Sequence, residues 1–215
     1  MSEQPQDTLM LMNVRAGRYV HLITARQGQT RDDGSVPEPK FEIEIILPKN
    51  HPQAQELKNR QKAAAQKKWG NDYENMLTAL LARDRVLLHN GDATRIGKPE
   101  YAGMFYLNAK NPEQPTIIVS EGGANIATRG TPKVLLPGHK DWPYPGCKVN
   151  VELDIYAYTK GKNSGISATV LGVQFAGHDT RLGNQQVSSA SRFGVIAATS
   201  VDGAAPSQGS SESLI

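Results

Sequence analysis

The sequence predicts an all-β protein of short strands joined by turns, interrupted by one helical insertion. Three observations carry that expectation. The stretch Gly146–Gly177 holds two runs that alternate with period two around a break at Lys160–Gly165, the pattern of half-buried strands in an antiparallel hairpin. Glycine and proline are frequent, 20 and 13 among 215 residues, which favours short strands and turns. Only Gln53–Leu88 reads as a sustained helical region.

Taken in order, Met1–Thr8 is polar and is expected to be disordered. Leu9–Val14 and Arg18–Thr24 are strand candidates separated by Ala16–Gly17. Arg15, Arg18, Tyr19, His21 and Arg26 would contribute either to a basic surface or to ordinary strand decoration. Gln27–Pro39 is a loop, and Lys40–Leu47 is a clear strand with Phe41, Ile43 and Ile45 on one face and Glu42, Glu44 and Ile46 on the other. Its acidic face would be a poor platform for nucleic acid. Gln53–Trp69 is the convincing helix, rich in Lys58, Arg60, Lys62, Lys67 and Lys68; Gly70–Asn71 interrupts it and Tyr73–Leu88 resumes it with Leu77, Leu80 and Leu81 as an apolar stripe. The basic helix either touches phosphate or is simply solvated.

His89–Lys98 is a turn-rich link. Tyr101–Ala109 (YAGMFYLNA) gathers three aromatics, with Gly103 permitting close backbone approach. Thr116–Val119 and Pro132–Leu136 are brief strands, with Ser120–Gly130 a loop between them. His139–Gly146 holds Trp142 and Tyr144 between prolines, as a base-stacking clamp or as a rigid barrel corner. In the final hairpin Val149, Val151, Leu153, Ile155 and Ala157 point inward, and Tyr156 and Tyr158 share the wet face. Its second strand, Ile166–Phe175, sets Ile166, Ala168, Val170, Gly172 and Gln174 against Ser167, Thr169, Leu171, Val173 and Phe175. Val187–Ile215 is Ser/Gly/Ala-rich and is expected to be flexible, with Phe193–Ile196 as a docking patch.

The totals exclude several classes. One cysteine, Cys147, leaves no intrachain disulfide, fits a reducing compartment, and reads best as a small buried hydrophobe. No signal peptide and no membrane-spanning run is seen. A net charge of +3 and a pI of about 8.9 permit a polyanionic partner without demanding one. The histidines are scattered, and neither HExxH, CxxC nor an Asp-x-Asp pair occurs, so no metal site or nuclease carboxylate cluster is expected. GxxxxGK[ST] and GxGxxG are missing too, so no nucleotide cofactor is expected.

What survives is a set of aromatic strands beside basic loops. Binding a single strand of nucleic acid needs those parts, with rings for bases and cations for phosphates. The bland alternative is half-buried tyrosines beside solubilising lysines. A major-groove reader would want a recognition helix, which the chain does not offer.

The order and wording of YVHL, FEIEIILPKNHP, HNGD, YAGMFYLNAK, PGHKDWPYPGCKVNVELDIYAY and KGKNSGISATVLGVQFAGHDTRLG resemble a phage family of single-stranded DNA-binding proteins, typified by enterobacterial phage replication proteins. The likeness covers about Val14 to Gly183, and its most specific part is YAY…GISA…LGVQF. It implies an OB-fold-like Greek-key barrel and non-specific coating of single-stranded DNA in phage replication or recombination, in the cytoplasm of the infected bacterium. It carries Tyr101, Phe105, Tyr106, Tyr156 and Tyr158 over as stackers. Regular alternation forbids Phe105 and Tyr106 from sharing a face, so at least one of these rings should be core. Many single-strand binders end in a strongly acidic tail that recruits partners. Gly203–Ile215 is barely acidic, which counts against that role.

The expected organisation is residues 1–8 disordered, 9–186 a barrel domain with its helical insertion at about 53–88, and 187–215 a flexible tail. The nucleic-acid site is expected at Tyr101, Phe105, Tyr106, Lys110, Lys140, Trp142, Tyr144, Tyr156, Tyr158, Lys160 and Lys162, without catalysis, cofactor or metal. Single-stranded DNA is the expected partner, with phage or host replication proteins and, through sheet edges, a second copy as further candidates. An RNA-binding module, a protein-interaction barrel and, more remotely, a metal-assisted nuclease are the rival readings.

Overall fold

The computed structural model describes residues 8–30, 34–121, 124–127, 142–161 and 163–183. Eight strands are present among them: β1 (Thr8–Arg26), β2 (Lys40–Pro48), β3 (His89–Asn90), β4 (Met104–Asn111), β5 (Thr116–Glu121), β6 (Ala124–Ala127), β7 (Lys148–Lys160) and β8 (Asn163–Gly177). Five of them close a barrel. β1 pairs antiparallel with β2 and β7, β2 with β4, and β7 with β8; the ring shuts where β4 meets β8 in parallel at Ala109 and Ala168. The Asn111 side chain donates to the Val170 carbonyl at 2.8 Å and reinforces that closure. β5 continues along the same edge of β8 and carries β6 outward.

The two candidate strands at the start form one continuous strand. Irregular pairing, rather than a break, absorbs Asn13 and Ala16–Gly17. Asn13 takes φ 53°, and its N–H donates to Asn150 Oδ1 at 2.7 Å. One long bent strand can therefore pair with β7 through its first half and β2 through its second. Ser120–Gly130, expected as loop, contains the end of β5 and all of β6. In β8 the expected alternation holds as far as Val170 and then changes phase. Leu153 pairs with Val170 but Glu152 with Gly172, so Leu171 is an extra residue and Val173 turns inward.

The interior is lined by Leu11, Val14, Leu22, Ile43, Ile45, Leu107, Val149, Val151, Leu153, Ala168 and Val170, all essentially inaccessible. β2 overturns one expectation, because both of its faces are covered. Glu44 is fully buried and Glu42 nearly so. A buried carboxylate persists only when it is paired. Glu44 accepts from the Tyr101 hydroxyl at 2.7 Å, the Arg18 N–H at 2.8 Å and Arg95 at 3.2 Å. Gly17 has no side chain because one would strike that carboxylate.

The helical insertion comprises α1 (Ala54–Trp69), a 3₁₀ turn at Gly70–Asp72 and α2 (Tyr73–Ala82). α2 stops short of the expected Leu88, and Leu81 points to solvent while Leu80 is buried. α1 is poor in apolar residues and buries Ala54, Leu57 and Ala65. Polar anchors hold the insertion. Gln53 bonds Met10 and Met12 of β1 at 2.7 and 2.8 Å, Gln61 accepts from the Leu87 and Leu88 N–H groups, and Trp69 Nε1 donates to Thr159 Oγ1 at 3.1 Å. The segment His89–Lys98 is not merely a link. It supplies β3 and the short α3 (Gly91–Thr94), whose N-terminus is capped by Asn90.

Pro132–Leu136, the Met1–Asp7 tail and the stretch beyond Gly183, including Val187–Ile215, lie outside the described residues. Among those described, no helix is long and apolar enough to cross a membrane.

Candidate nucleic-acid interface

Among the described residues, the β7–β8 hairpin carries the exposed aromatics Tyr156 and Tyr158. Tyr156 and Tyr158 sit on the outward face of β7 because the inward positions Leu153, Ile155 and Ala157 face the core. Their relative exposures are 41% and 38%, high for tyrosine in a strand. The ring centroids lie 6.3 Å apart at a tilt of 50°, so each ring keeps a face of its own. Tyr158 lies across Gly165 on the partner strand, where a Cβ would come within 2.7 Å of its hydroxyl. The glycine is thus a seat for the ring. Lys160 is exposed at the hairpin end, paired with Asn163 across a turn through Gly161 at φ 59°. The turn is tighter than the Lys160–Gly165 loop read from the sequence.

Beside this shelf α1 crosses β7 and leaves a groove of about 580 Å³. Arg60, Ala63, Ala64, Lys67 and Lys68 form one wall, and Asp154–Ala157 the other.

The aromatics of Tyr101–Ala109 do not join the shelf. Tyr101 is fully buried, and burial together with its bond to Glu44 drives its phenol far above the ordinary tyrosine range. Tyr106 is also buried, stacked on His89 at 4.9 Å and bonded to Thr94 at 3.0 Å. Both were expected as stackers and both are interior groups, because the Gly91–Tyr101 excursion folds over the outer face of β2 and β4. Phe105 is half-buried under Lys49 and Lys58, whose ammonium groups lie 5.7 and 5.0 Å from the ring centre. The β4 register fixes this division by sending neighbours to opposite faces.

Lys110 reaches Glu42 at 3.3 Å and shares it with Arg26 at 2.7 Å. Burial acts to raise the Glu42 pKa, but the two cations outweigh it and hold the carboxyl below its usual range. A second recess of about 450 Å³ opens here, between the Arg26–Gln29 and Pro37–Lys40 ends of the loop and Lys110. Arg26 also lies over the Tyr19 ring at 5.2 Å. Trp142 is half-buried against the core and closes a small recess beside Val20–Thr24. Tyr144 is engaged on several sides. Its hydroxyl contacts Asp179 and His178, its ring stacks near His178, and Arg181 lies 4.5 Å from its centre. Trp142 and Tyr144 are thus both engaged with the protein's own groups. Cys147 is buried, and burial raises its thiol to about 11. Lys140 and Lys162 lie outside the described residues.

Comparison with known proteins accords with this architecture. The sequence model described as "Enterobacter phage Enc34, ssDNA-binding protein" matches residues 8–204. The chain belongs to the Enc34 ssDNA-binding protein family. It is 30% identical over 139 residues to protein p50 of Acyrthosiphon pisum secondary endosymbiont phage 1, covering 63% of this chain and 68% of that one. Among solved structures, the single-stranded DNA-binding protein from bacteriophage Enc34 in complex with ssDNA superposes with a TM-score of 0.65 at 21% identity, over 83% of this chain and 90% of that one. The single-stranded DNA-binding protein gp2.5 of bacteriophage T7 gives 0.51 at 12% identity, over 88% and 98%. At these identities the structural likeness is one of fold, and the fold is the OB barrel.

The structure sets Tyr156, Tyr158 and Lys160 along one strand and places Arg60, Lys67 and Lys68 in the groove beside it, residues that the sequence left as part of a basic helix, phosphate-touching or solvated. The available signal was their spacing. Positions 60, 63, 64 and 67 follow the i, i+3, i+4, i+7 rule and share one helix face.

Proposed function

We propose that this protein binds single-stranded DNA without reading its sequence, as a phage replication or recombination factor acting in the cytoplasm of an infected bacterium. The observation that carries the reading is the exposed Tyr156–Tyr158 pair, bordered by Lys160, in a chain that belongs to the Enc34 family over residues 8–204. Unpaired bases stack on the two rings, each contributing on the order of 1–3 kcal/mol, and nearby cations neutralise the phosphates. Every base has a π-face, so stacking is tolerant of sequence. A duplex hides those faces and gains only the charge term. Stacking and charge neutralisation call for no general acid, base or metal, so the protein acts as a binder and not as an enzyme.

The test is a salt-series titration at pH 7 with fluorescent ssDNA, duplex DNA and ssRNA of equal length. Log affinity for ssDNA is expected to fall linearly with log salt, with a slope of about −0.7 for each phosphate neutralised, and to exceed duplex affinity throughout. Duplex bound as tightly as the single strand at matched salt overturns the proposal. Tighter binding of the RNA moves the assignment to an RNA-binding module.

A further inference from the structure

We propose that α1 is the phosphate-binding wall of this interface, with Arg60, Lys67 and Lys68 clamping the backbone of a strand whose bases lie on the β7 tyrosines. The inference rests on the single-strand reading above and assigns a role to residues outside the hairpin.

Three features of the groove argue for it. The first is charge. Three of the lining side chains are cationic and all three come from α1, while Tyr156 stands on the facing wall. Asp154 is the carboxylate in the lining, and it is paired with Thr8 where β1 joins β7.

The second is space. Between the cationic positions the helix presents Ala63 and Ala64, so the floor is low where longer side chains would fill the gap. Arg60 and Lys67 are separated by about 10 Å along the helix axis, room for about three phosphates at the 3.4 Å rise of a stacked strand. The third is rigidity. The bond from Trp69 to Thr159 ties the end of α1 to the hairpin, and Gln53 ties its beginning to β1. The wall is held at a set distance from the rings.

The opposite flank of α1 is a matched comparison. Lys58 lies over the Phe105 ring and Lys62 over the Tyr73 ring, and Lys49 joins Lys58 on Phe105. These cations face away from the groove and are occupied with aromatic faces of the protein itself.

The experiment titrates the full chain with a fluorescent oligo(dT) across a salt series, for wild type, the triple variant Arg60→Gln/Lys67→Gln/Lys68→Gln, the control triple Lys49→Gln/Lys58→Gln/Lys62→Gln, Ala63→Leu and Tyr156→Ala. The groove triple is expected to lower the log–log salt slope by about 2, the loss of three phosphate contacts at about 0.7 each. The control triple, with the same change in net charge, is expected to keep the slope. Ala63→Leu, which alters no charge and suits a helix, is expected to weaken binding at every salt concentration without changing the slope. If both triples change the slope equally, the effect is general electrostatics and the assignment of α1 is overturned. If Tyr156→Ala weakens binding while the groove triple and Ala63→Leu behave as wild type, α1 is overturned and the hairpin shelf stands. If wild type itself does not bind oligo(dT), the single-strand reading falls, and this inference with it.

Discussion

Tyr101 and Tyr156 are the same amino acid with opposite assignments, and the difference lies in what each hydroxyl touches. Tyr101 donates to Glu44, a carboxylate with no access to water. Tyr101→Phe removes that donor and leaves the charge with Arg95 and the Arg18 N–H alone. The expected cost is about 1.5–3 kcal/mol of stability, the worth of a hydrogen bond to a charged group, with ssDNA affinity unchanged. Tyr156→Ala is expected to do the reverse, weakening ssDNA binding by about 1–3 kcal/mol while the melting curve stays in place. Urea denaturation and the oligonucleotide titration read the two effects separately, and a Tyr101 variant that folds well but loses DNA would reverse the assignment. The sequence could not make this distinction. A run of aromatics such as YAGMFY shows that rings are present, while the face each one takes depends on the chain that later folds over it. Glu42 and Glu44 misled for a related reason. Charged residues alternating with isoleucine ordinarily mark a wet face, and only the arrival of Arg95, Arg26 and Lys110 from distant positions makes their burial tolerable.

The β7–β8 hairpin is where the sequence was most legible, because period-two alternation and a glycine-bearing turn are local properties. Its seat for Tyr158 was not. Gly165 reads as part of a flexible turn, yet it is paired within the strand and carries the tyrosine ring on its bare backbone. Gly165→Ala is expected to push that exposed ring aside, since the nearest atom is the mobile end of a side chain and not backbone. Binding should weaken by up to the value of one stacked base, about 1–3 kcal/mol, with little change in melting temperature. Unaltered affinity would show that Tyr158 is no platform. The phase change at Leu171 and the bend at Asn13 were likewise invisible, because an extra residue in a strand looks like any other until its partner is known. α1 shows the opposite limit. Its existence was legible from composition, but Gln53, Gln61 and Trp69, which fix where it packs, follow no apolar period.

At the scale of the whole molecule, carboxylates fasten the outer layer to the barrel. Glu42 is tied to Arg26 and Lys110, Glu100 to Arg18 at 2.5 Å, and Asp92 to Lys49 at 2.5 Å and to the Gly103 N–H at 2.8 Å. Burial opposes ionisation of Glu42 and Glu100, but their partners prevail, and all three carboxyls are held below their ordinary range. A group whose pKa is depressed on folding gives stability that is complete above its unfolded value and is lost as pH falls through the folded one. The urea midpoint is therefore expected to be level from pH 7 down to about pH 5 and to decline below about 4.5, the ordinary glutamate value. Arg26→Gln should shrink that decline, since Glu42 then loses a partner that keeps it ionised. A midpoint that stays level to pH 3 would show that these pairs add nothing to the fold. The same arithmetic protects the binding experiments. At pH 7 the contribution of these carboxylates is complete, and Glu42 and Glu100 are shielded enough that added salt screens them less than it screens exposed charges. A steep salt slope measured there reports phosphate contacts and not loosening of the barrel, and a melting curve at the highest salt used, expected to match that at the lowest, checks the separation directly.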